Sequence, residues 1–325
     1  MNKKLFTLGM VTVLSVGLAA CNSADKTSGE QKQQTKATET KKDEKRKITY
    51  LGKEYTVPAK VDKIATASLE SMEDAAVLGI KPVGAITVGG KLPKYLEKEL
   101  EGAKSVGEKM QPNFETLLQL KPDVITSSTK FPAETAEKFT KVAPTFPVSH
   151  VSTNWEDNLK LMGELTGKKD KAEKIIKDYN SDAEKAKAKL GDKLKDKKVL
   201  VIRLRANDLF LYPEGVYFNP VIYKDLGLTA PEQLKTVKAQ EKISLEKLAE
   251  VNPDYIFLQY EASENNKPKV LEDIENNPIW QSMNAAKEKK VFVNVVDPMA
   301  QGGTAWSKTA FLKDAVKNLS KYYNK

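Results

Sequence analysis

Of 325 residues, one is cysteine and one is histidine. Cys21 has no second thiol to pair with, which excludes an internal disulfide. His150 alone cannot build a His/Cys-rich site for a bare transition metal. There is no Gly-x-Ser-x-Gly elbow, no Gly-x-Gly-x-x-Gly and no phosphate loop. Gly89-Gly90-Lys91 and Gly302-Gly303-Thr304 are glycine pairs too short for either glycine-rich fingerprint. Aromatic residues make up 7% of the chain, and no basic run carries interleaved aromatics. The formal charge of +9, from 53 Lys+Arg against 44 Asp+Glu, is spread along amphipathic segments. That is the pattern of solvated faces, and it argues against nucleic acid as a partner. The one long apolar run, Leu5–Ala20, has 16 residues, short of the roughly 20 needed to span a bilayer.

That run is informative in another way. Lys3 and Lys4 precede it and Leu18-Ala19-Ala20-Cys21 closes it, the layout of a secretory signal with small residues before the cut. The closing string looks like a lipobox, which implies a signal peptide over residues 1–20 and a lipid-modified Cys21 as the new N-terminus. Removal of Lys3 and Lys4 lowers the formal charge from +9 to +7. From Asn22 to Lys47 no aromatic or large aliphatic residue offers a core, so residues 21–47 read as a lipidated cysteine and a disordered tether. The remaining 278 residues, 325 less 47, suffice for two lobes.

Beyond the tether, apolar strands alternate with helical stretches. Ile48–Leu51 and Tyr55–Val57 read as a hairpin. Strands are expected at Ile64–Thr66, Val83–Thr87, Val124–Ser127 and Val148–Val151, with helices at Ser71–Leu78, Phe114–Leu120 and Ala133–Val142. Thr153–Glu156 has capping-box spacing and opens a helix ending at Gly167. Ala172, Ile175, Ile176, Tyr179, Ala183, Ala186 and Leu190 then recur at helical spacing from Lys169 to Gly191. A helix that long is a candidate strut between two α/β halves. The second half repeats the logic with strands at Val199–Arg205, Leu209–Tyr212, Tyr255–Gln259 and Val291–Val295 and a helix at Leu245–Glu250. Glu115 to Ile125 parallels Glu246 to Ile256, each running from a glutamate through a short helix and Pro-Asp into a strand, 131 positions apart. The fold class expected is α/β: two Rossmann-like lobes, 48–167 and 192–325, joined by a single helix over 168–191.

Ligands of open α/β sheets bind beyond the carboxyl ends of the strands. Lys130 follows one such strand. Arg203 and Arg205 share one face at the end of another, and Lys109 lies in the loop before the Glu115 helix. If the lobes face each other, Lys109 and Lys130 meet Arg205. Any one of these cations is unremarkable as a solvated side chain, but two arginines in so apolar a strand need partners. His150, at a strand end, reads as a structural hydrogen-bonding residue.

At Ser71-Met72-Glu73-Asp74, Gly107-Glu108-Lys109-Met110, Ser128-Thr129-Lys130-Phe131-Pro132, Val201–Arg205 and Asp297–Ser307, nearly the whole mature chain resembles the siderophore-binding proteins built around a single long helix. More narrowly, it resembles the Feu-type lipoproteins that bind ferric bacillibactin and similar tris-catecholates. The resemblance implies a basic triad, falling here on Lys109, Lys130 and Arg205, with Arg203, Lys238 and Gln240 as secondary contacts. It implies that Glu115 and Glu246 meet a two-subunit ABC permease, and through it an ATPase. It also implies a monomer on the extracellular face of the cell membrane, with the iron held by the siderophore rather than by protein ligands. A ferric tris-catecholate carries three negative charges and aromatic faces, which suit converging cations through charge and cation–π attraction. Ferric citrate is anionic but lacks rings. The rival classes are an extracellular enzyme on an anionic substrate, which would need a nucleophile or base beside the cations, and a structural adhesin, which would need no arginines in a strand.

Overall fold

The computed structural model describes residues 44–322. The signal segment and Cys21 lie outside the described residues. β1 (Lys45–Tyr50) and β2 (Lys53–Pro58) form the expected antiparallel hairpin. The tether expected through Lys47 therefore gives way to strand at Lys45, because Ile48, Tyr50 and Val57 are buried and carry the hairpin onto the protein.

A six-stranded sheet follows, of β3 (Ile64–Thr66), β4 (Gly84–Thr87), β5 (Lys104–Glu108), β6 (Gln111–Pro112), β7 (Val124–Ser128) and β8 (Thr145–Val148), in the order β6-β5-β4-β3-β7-β8. All neighbours are parallel except β5 and β6. β3, β4 and β7 are buried along their whole length, as strands covered on both faces must be. The last strand was expected at Val148–Val151 but runs from Thr145 to Val148. Buried Phe146 and Val148 set its register against β7, and Pro147 is tolerated because the strand is an edge.

A second sheet holds β9 (Val199–Arg205), β10 (Asp208–Leu211), β11 (Glu241–Ile243), β12 (Tyr255–Tyr260) and β13 (Val291–Val293), ordered β11-β10-β9-β12-β13. β9, β12 and β13 are parallel, whereas β10 and β11 pair antiparallel on the other side.

The internal repeat holds atom by atom. Asn113 and Ser244 cap the helices Phe114–Leu120 and Leu245–Val251, accepting from the backbone N–H of Thr116 and Lys247 at 3.0 and 3.3 Å. Each helix ends on a left-handed residue, Lys121 at φ +48° and Asn252 at φ +47°. The following aspartates, Asp123 and Asp254, accept from Lys63 N and Lys198 N at 2.8 and 2.9 Å, tying each unit to the start of β3 or β9.

Between the sheets runs a helix from Lys169 to Leu194, 26 residues and roughly 39 Å long. It passes through Gly191, where it was expected to stop, because Leu190 and Leu194 are both buried and continue its apolar stripe. The capping box expected at Thr153–Glu156 does not form. Ser152–Asn154 is a short 3-10 turn and the helix begins at Trp155. Ser152 is held from outside, its N–H donating to Gly215 O at 3.1 Å and its hydroxyl to Tyr217 O at 2.9 Å. A last helix, Ala305–Ser320, packs against the long helix and against the first helix, Leu69–Leu78. The fold class read from the sequence, two α/β lobes joined by a single long helix, is the observed one. Among the described residues no helix is long and apolar enough to cross a membrane.

Candidate ligand-binding site

In the first sheet the chain order reverses at β3, which feeds β4 on one side and neighbours β7 on the other. Ligands of such sheets bind at that crossing, beyond the strand ends. Ser68 and Glu70, just after β3, and Lys130, just after β7, are the residues placed there. Ser68 caps the first helix by accepting from Ser71 N at 3.1 Å, which fixes Glu70 in its first turn. The Lys130 ammonium donates to Glu70 Oε1 at 2.6 Å and to Gln301 Oε1 at 3.4 Å. The Glu70 side chain is 5% exposed against 37% for Lys130. Burial alone would raise the Glu70 carboxyl, but Lys130 foremost and Lys109 after it hold it below the usual carboxylate range.

Lys109 leaves the end of β5 through a tight turn. Gly107 has φ +104°, and a Cβ there would lie 2.4 Å from Gln111 O, so only glycine fits. Glu108 accepts from Thr87 Oγ1 at 2.7 Å and from Gly89 N and Gly90 N at 3.0 and 2.9 Å. The glycine pair that matched no nucleotide fingerprint thus serves to anchor the loop beside Lys109. The Lys109 ammonium has no hydrogen-bond or ion-pair partner among the described residues. Its pKa is pushed down to about 8, first by burial and then by the like charges of Arg203 and Lys130, with Glu264 and Glu70 pulling the other way.

In the second sheet β9 brings Arg203 and Arg205 to its carboxyl end, on one face. Arg203 is buried and partnered, with Nη2 and Nε at 2.7 and 3.2 Å from Glu264 Oε2 and the guanidinium 5.6 Å from the Tyr217 ring centroid. Arg205 is half-buried and has no ion pair among the described residues. Gln240 is exposed and accepts from Tyr212 Oη at 3.3 Å, and the Tyr212 ring lies 4.9 Å from Tyr217. Lys238 is exposed, and no contact ties it to the cluster. The structure therefore brings Lys130, from the first sheet, and Arg203, from the second, each within electrostatic reach of Lys109. Of the two β9 arginines it is Arg203 whose charge Lys109 feels, while Arg205 stands one side-chain repeat further along.

Sequence reasoning missed Glu70, Glu264 and Gln301. Glu70 stands one residue before the quoted Ser-Met-Glu-Asp string, and its signal, an acid in the first turn after a buried strand, is shared by many ordinary helices. Gln301 is positioned by Glu73, which is fully buried. Glu73 accepts from Tyr95 Oη at 2.5 Å, from Thr304 Oγ1 at 2.5 Å, from the Ser307 hydroxyl and from Gln301 N at 2.9 Å. These bonds join the first helix to the segment leading into the last one and set Gln301 beside Lys130. Burial raises the Glu73 carboxyl to about 7 in spite of those four donors.

An apolar groove of about 800 Å³ lies elsewhere, between the long helix and the last helix, with Ile175, Tyr179 and Trp306 in its lining, and it includes none of these cations. Among the described residues no group of three or more His, Cys, Asp or Glu is placed to hold a metal ion.

A fold of two such lobes around one long helix, with converging cations at the strand ends, defines a solute-binding protein. Residues 64–294 match the family model described as periplasmic binding protein, and the chain belongs to that family. It is 50% identical over 320 residues to the iron-uptake system-binding protein of Bacillus subtilis (strain 168), covering 98% of this chain and 99% of that protein. The crystal structure of FeuA, the triscatecholate siderophore-binding protein of Bacillus subtilis complexed with ferri-bacillibactin, is similar with a TM-score of 0.82 and 53% identity, over 85% of this chain and 98% of that one. SirA of Staphylococcus aureus complexed with staphyloferrin B is similar at 26% identity and a TM-score of 0.71, over 86% of this chain and 98% of that one.

Proposed function

We propose that this protein captures a ferric tris-catecholate of the bacillibactin kind between its two sheets and delivers it to an ABC importer. The observation that carries this reading is Lys109: a half-buried ammonium without a counter-ion, repelled by Arg203 and Lys130. Such an arrangement is unfavourable until an anion arrives, and a trianionic complex supplies one. Each close cation gains about 4 kcal/mol at an effective dielectric near 20, before its own desolvation is subtracted. Lysine and arginine over catecholate rings add roughly 0.5–2 kcal/mol each. Lys109, Lys130 and Arg205 are the principal contacts, with Arg203, Lys238 and Gln240 at the margin. A near-neutral ferric hydroxamate would leave the cations uncompensated. The likeness to FeuA supports the same ligand class.

Around this site the reading places a lipid on Cys21 as anchor, residues 22 onward as tether, and the protein as a monomer outside the cell membrane. Glu115 and Glu246, exposed and equivalent in the two repeats, dock on arginines of the two permease subunits. Rim charges of that kind set encounter rate and register. The protein binds and delivers; it does no chemistry on its cargo.

Trp155, Trp280 and Trp306 provide fluorescence for the test, a titration with ferric bacillibactin, ferric citrate and ferrioxamine in parallel. The expected result is binding at least a hundredfold tighter for the catecholate than for the hydroxamate. Equal affinity for ferrioxamine would overturn the ligand assignment.

A further inference from the structure

His150, the single histidine, lies two residues beyond β8, at the same end of the sheet as Lys130 beyond the neighbouring parallel β7. It is half-buried, and the charged groups acting on its ring are Lys130, from the loop after β7, and Glu70, from the first helix. The ring is held at one nitrogen, with Nδ1 2.7 Å from Thr129 Oγ1. That hydroxyl also lies 3.3 Å from Val148 O and accepts from the His150 backbone N–H at 3.3 Å.

We propose that His150 is a further cationic contact of the ligand site, neutral in the free protein and protonated when a polyanion fills the cleft. This rests on the reading of the site given above. The Thr129 hydroxyl fits both states of the ring. With the imidazole neutral and its proton on Nε2, the hydroxyl donates to Nδ1. When a solvent proton binds Nδ1, the hydroxyl turns its hydrogen to Val148 O and accepts from Nδ1–H, so the hydroxyl and Nδ1 stay paired in both states. Nε2–H remains free for the cargo in either state.

Charge balance calls for such a group. Glu264 neutralises Arg203 and Glu70 neutralises one unit of charge at Lys130. Lys109, Lys130 and Arg205 less Glu70 then offer two positive charges to a ligand carrying three negative ones. One imidazolium closes the difference. In the free protein, burial and then Lys130 keep His150 below its ordinary pKa while Glu70 pulls it up. A trianion at the cleft reverses the balance of charge around the ring.

The experiment is calorimetric titration of the protein with ferric bacillibactin at pH 7.0 in phosphate and in Tris, whose ionisation heats differ. The wild type is expected to take up about half a proton or more per ligand and to bind about fivefold tighter at pH 6.5 than at pH 7.5. His150→Gln should bind with almost no proton uptake and a flat pH profile. Thr129→Val, which removes the adaptable hydroxyl, should take up less than the wild type. Lys109 also titrates near this range, so Lys109→Met serves as the control and should keep most of the uptake. Uptake unchanged in His150→Gln, or a wild type that binds without proton uptake, overturns the role of His150 and leaves the site reading standing. A wild type that does not bind ferric bacillibactin at all overturns the site reading and this inference with it.

Discussion

Lys308 and Lys109 are both lysines drawn out of water, and they end in opposite conditions. Lys308 is 1% exposed, yet its ammonium donates to Asp225 Oδ2 at 2.7 Å and sits 5.6 and 5.0 Å from the Trp155 and Tyr179 ring centroids. Tyr179 donates to the same Asp225 oxygen at 2.5 Å. The cluster joins the last helix, the long helix, the helix starting at Trp155 and the turn Val221–Asp225, where the two lobes are bolted together. Lys109 has no such counter-ion, and its neighbours Arg203 and Lys130 carry its own sign. A buried charge whose partners are inside the protein is architecture. A charge removed from water without a partner is a place where the partner comes from outside.

That contrast is broken or sharpened most strongly at Lys308. Lys308→Met leaves Asp225 without its cation, and urea unfolding should show a loss of about 3–5 kcal/mol. Folded Lys308→Met should bind ferric bacillibactin with wild-type affinity. Unfolding at the wild-type urea concentration would show that the pair contributes nothing to the junction.

Lys109→Met should act the other way round. Its affinity for the ferric complex should fall roughly 10- to 100-fold, about 1.4–2.8 kcal/mol, while its stability at pH 7 rises above that of the wild type. The sign follows from linkage. The folded pKa of about 8 lies below the ordinary 10.5, so the wild type carries an unfavourable charge at every pH below about 8. Its disadvantage should shrink as pH rises from 8 toward 10.5, where the folded protein has already released the proton. Thermal melts of the two proteins across that range would expose a stabilising role for Lys109 if the wild type melted higher at pH 7.

Smallest in the isolated protein, and confined to cells, is the effect of Glu115→Arg combined with Glu246→Arg. Neither glutamate has an ion pair among the described residues, and both are exposed. Melting temperature and ligand affinity should stay within error of the wild type while uptake of the ferric siderophore collapses. Uptake at the normal rate would leave these acids as helix-dipole partners and nothing more.

Local rules made much of this molecule legible in its residues. The strand–helix alternation follows from apolar periodicity, and β3, β9 and the helix Phe114–Leu120 fall at the expected bounds. The internal repeat is written in short-range chemistry: a capping side chain, a first-turn glutamate, a left-handed terminus and a Pro-Asp entry to a strand. Lys109, Lys130 and the β9 arginines could be singled out because charged residues at apolar strand ends are locally anomalous.

Other features belong to no local segment. The capping box expected at Thr153–Glu156 gives way to a 3-10 turn whose first residue, Ser152, is held by Gly215 and Tyr217, more than sixty residues later. Gly191 stays helical because Leu194 has a core to enter. Which cations are spent and which remain free was likewise decided by tertiary contact. Arg203 meets Glu264, Lys130 meets Glu70, and Lys109 pairs with neither acid, so that burial and the like charges of Arg203 and Lys130 outweigh the pull of Glu264 and Glu70. The sequence determined where charge stands along each strand, because strand and helix periods are set within a few residues. Only the folding of two sheets against one helix decided which charges find partners, because that depends on distances between residues far apart in the chain.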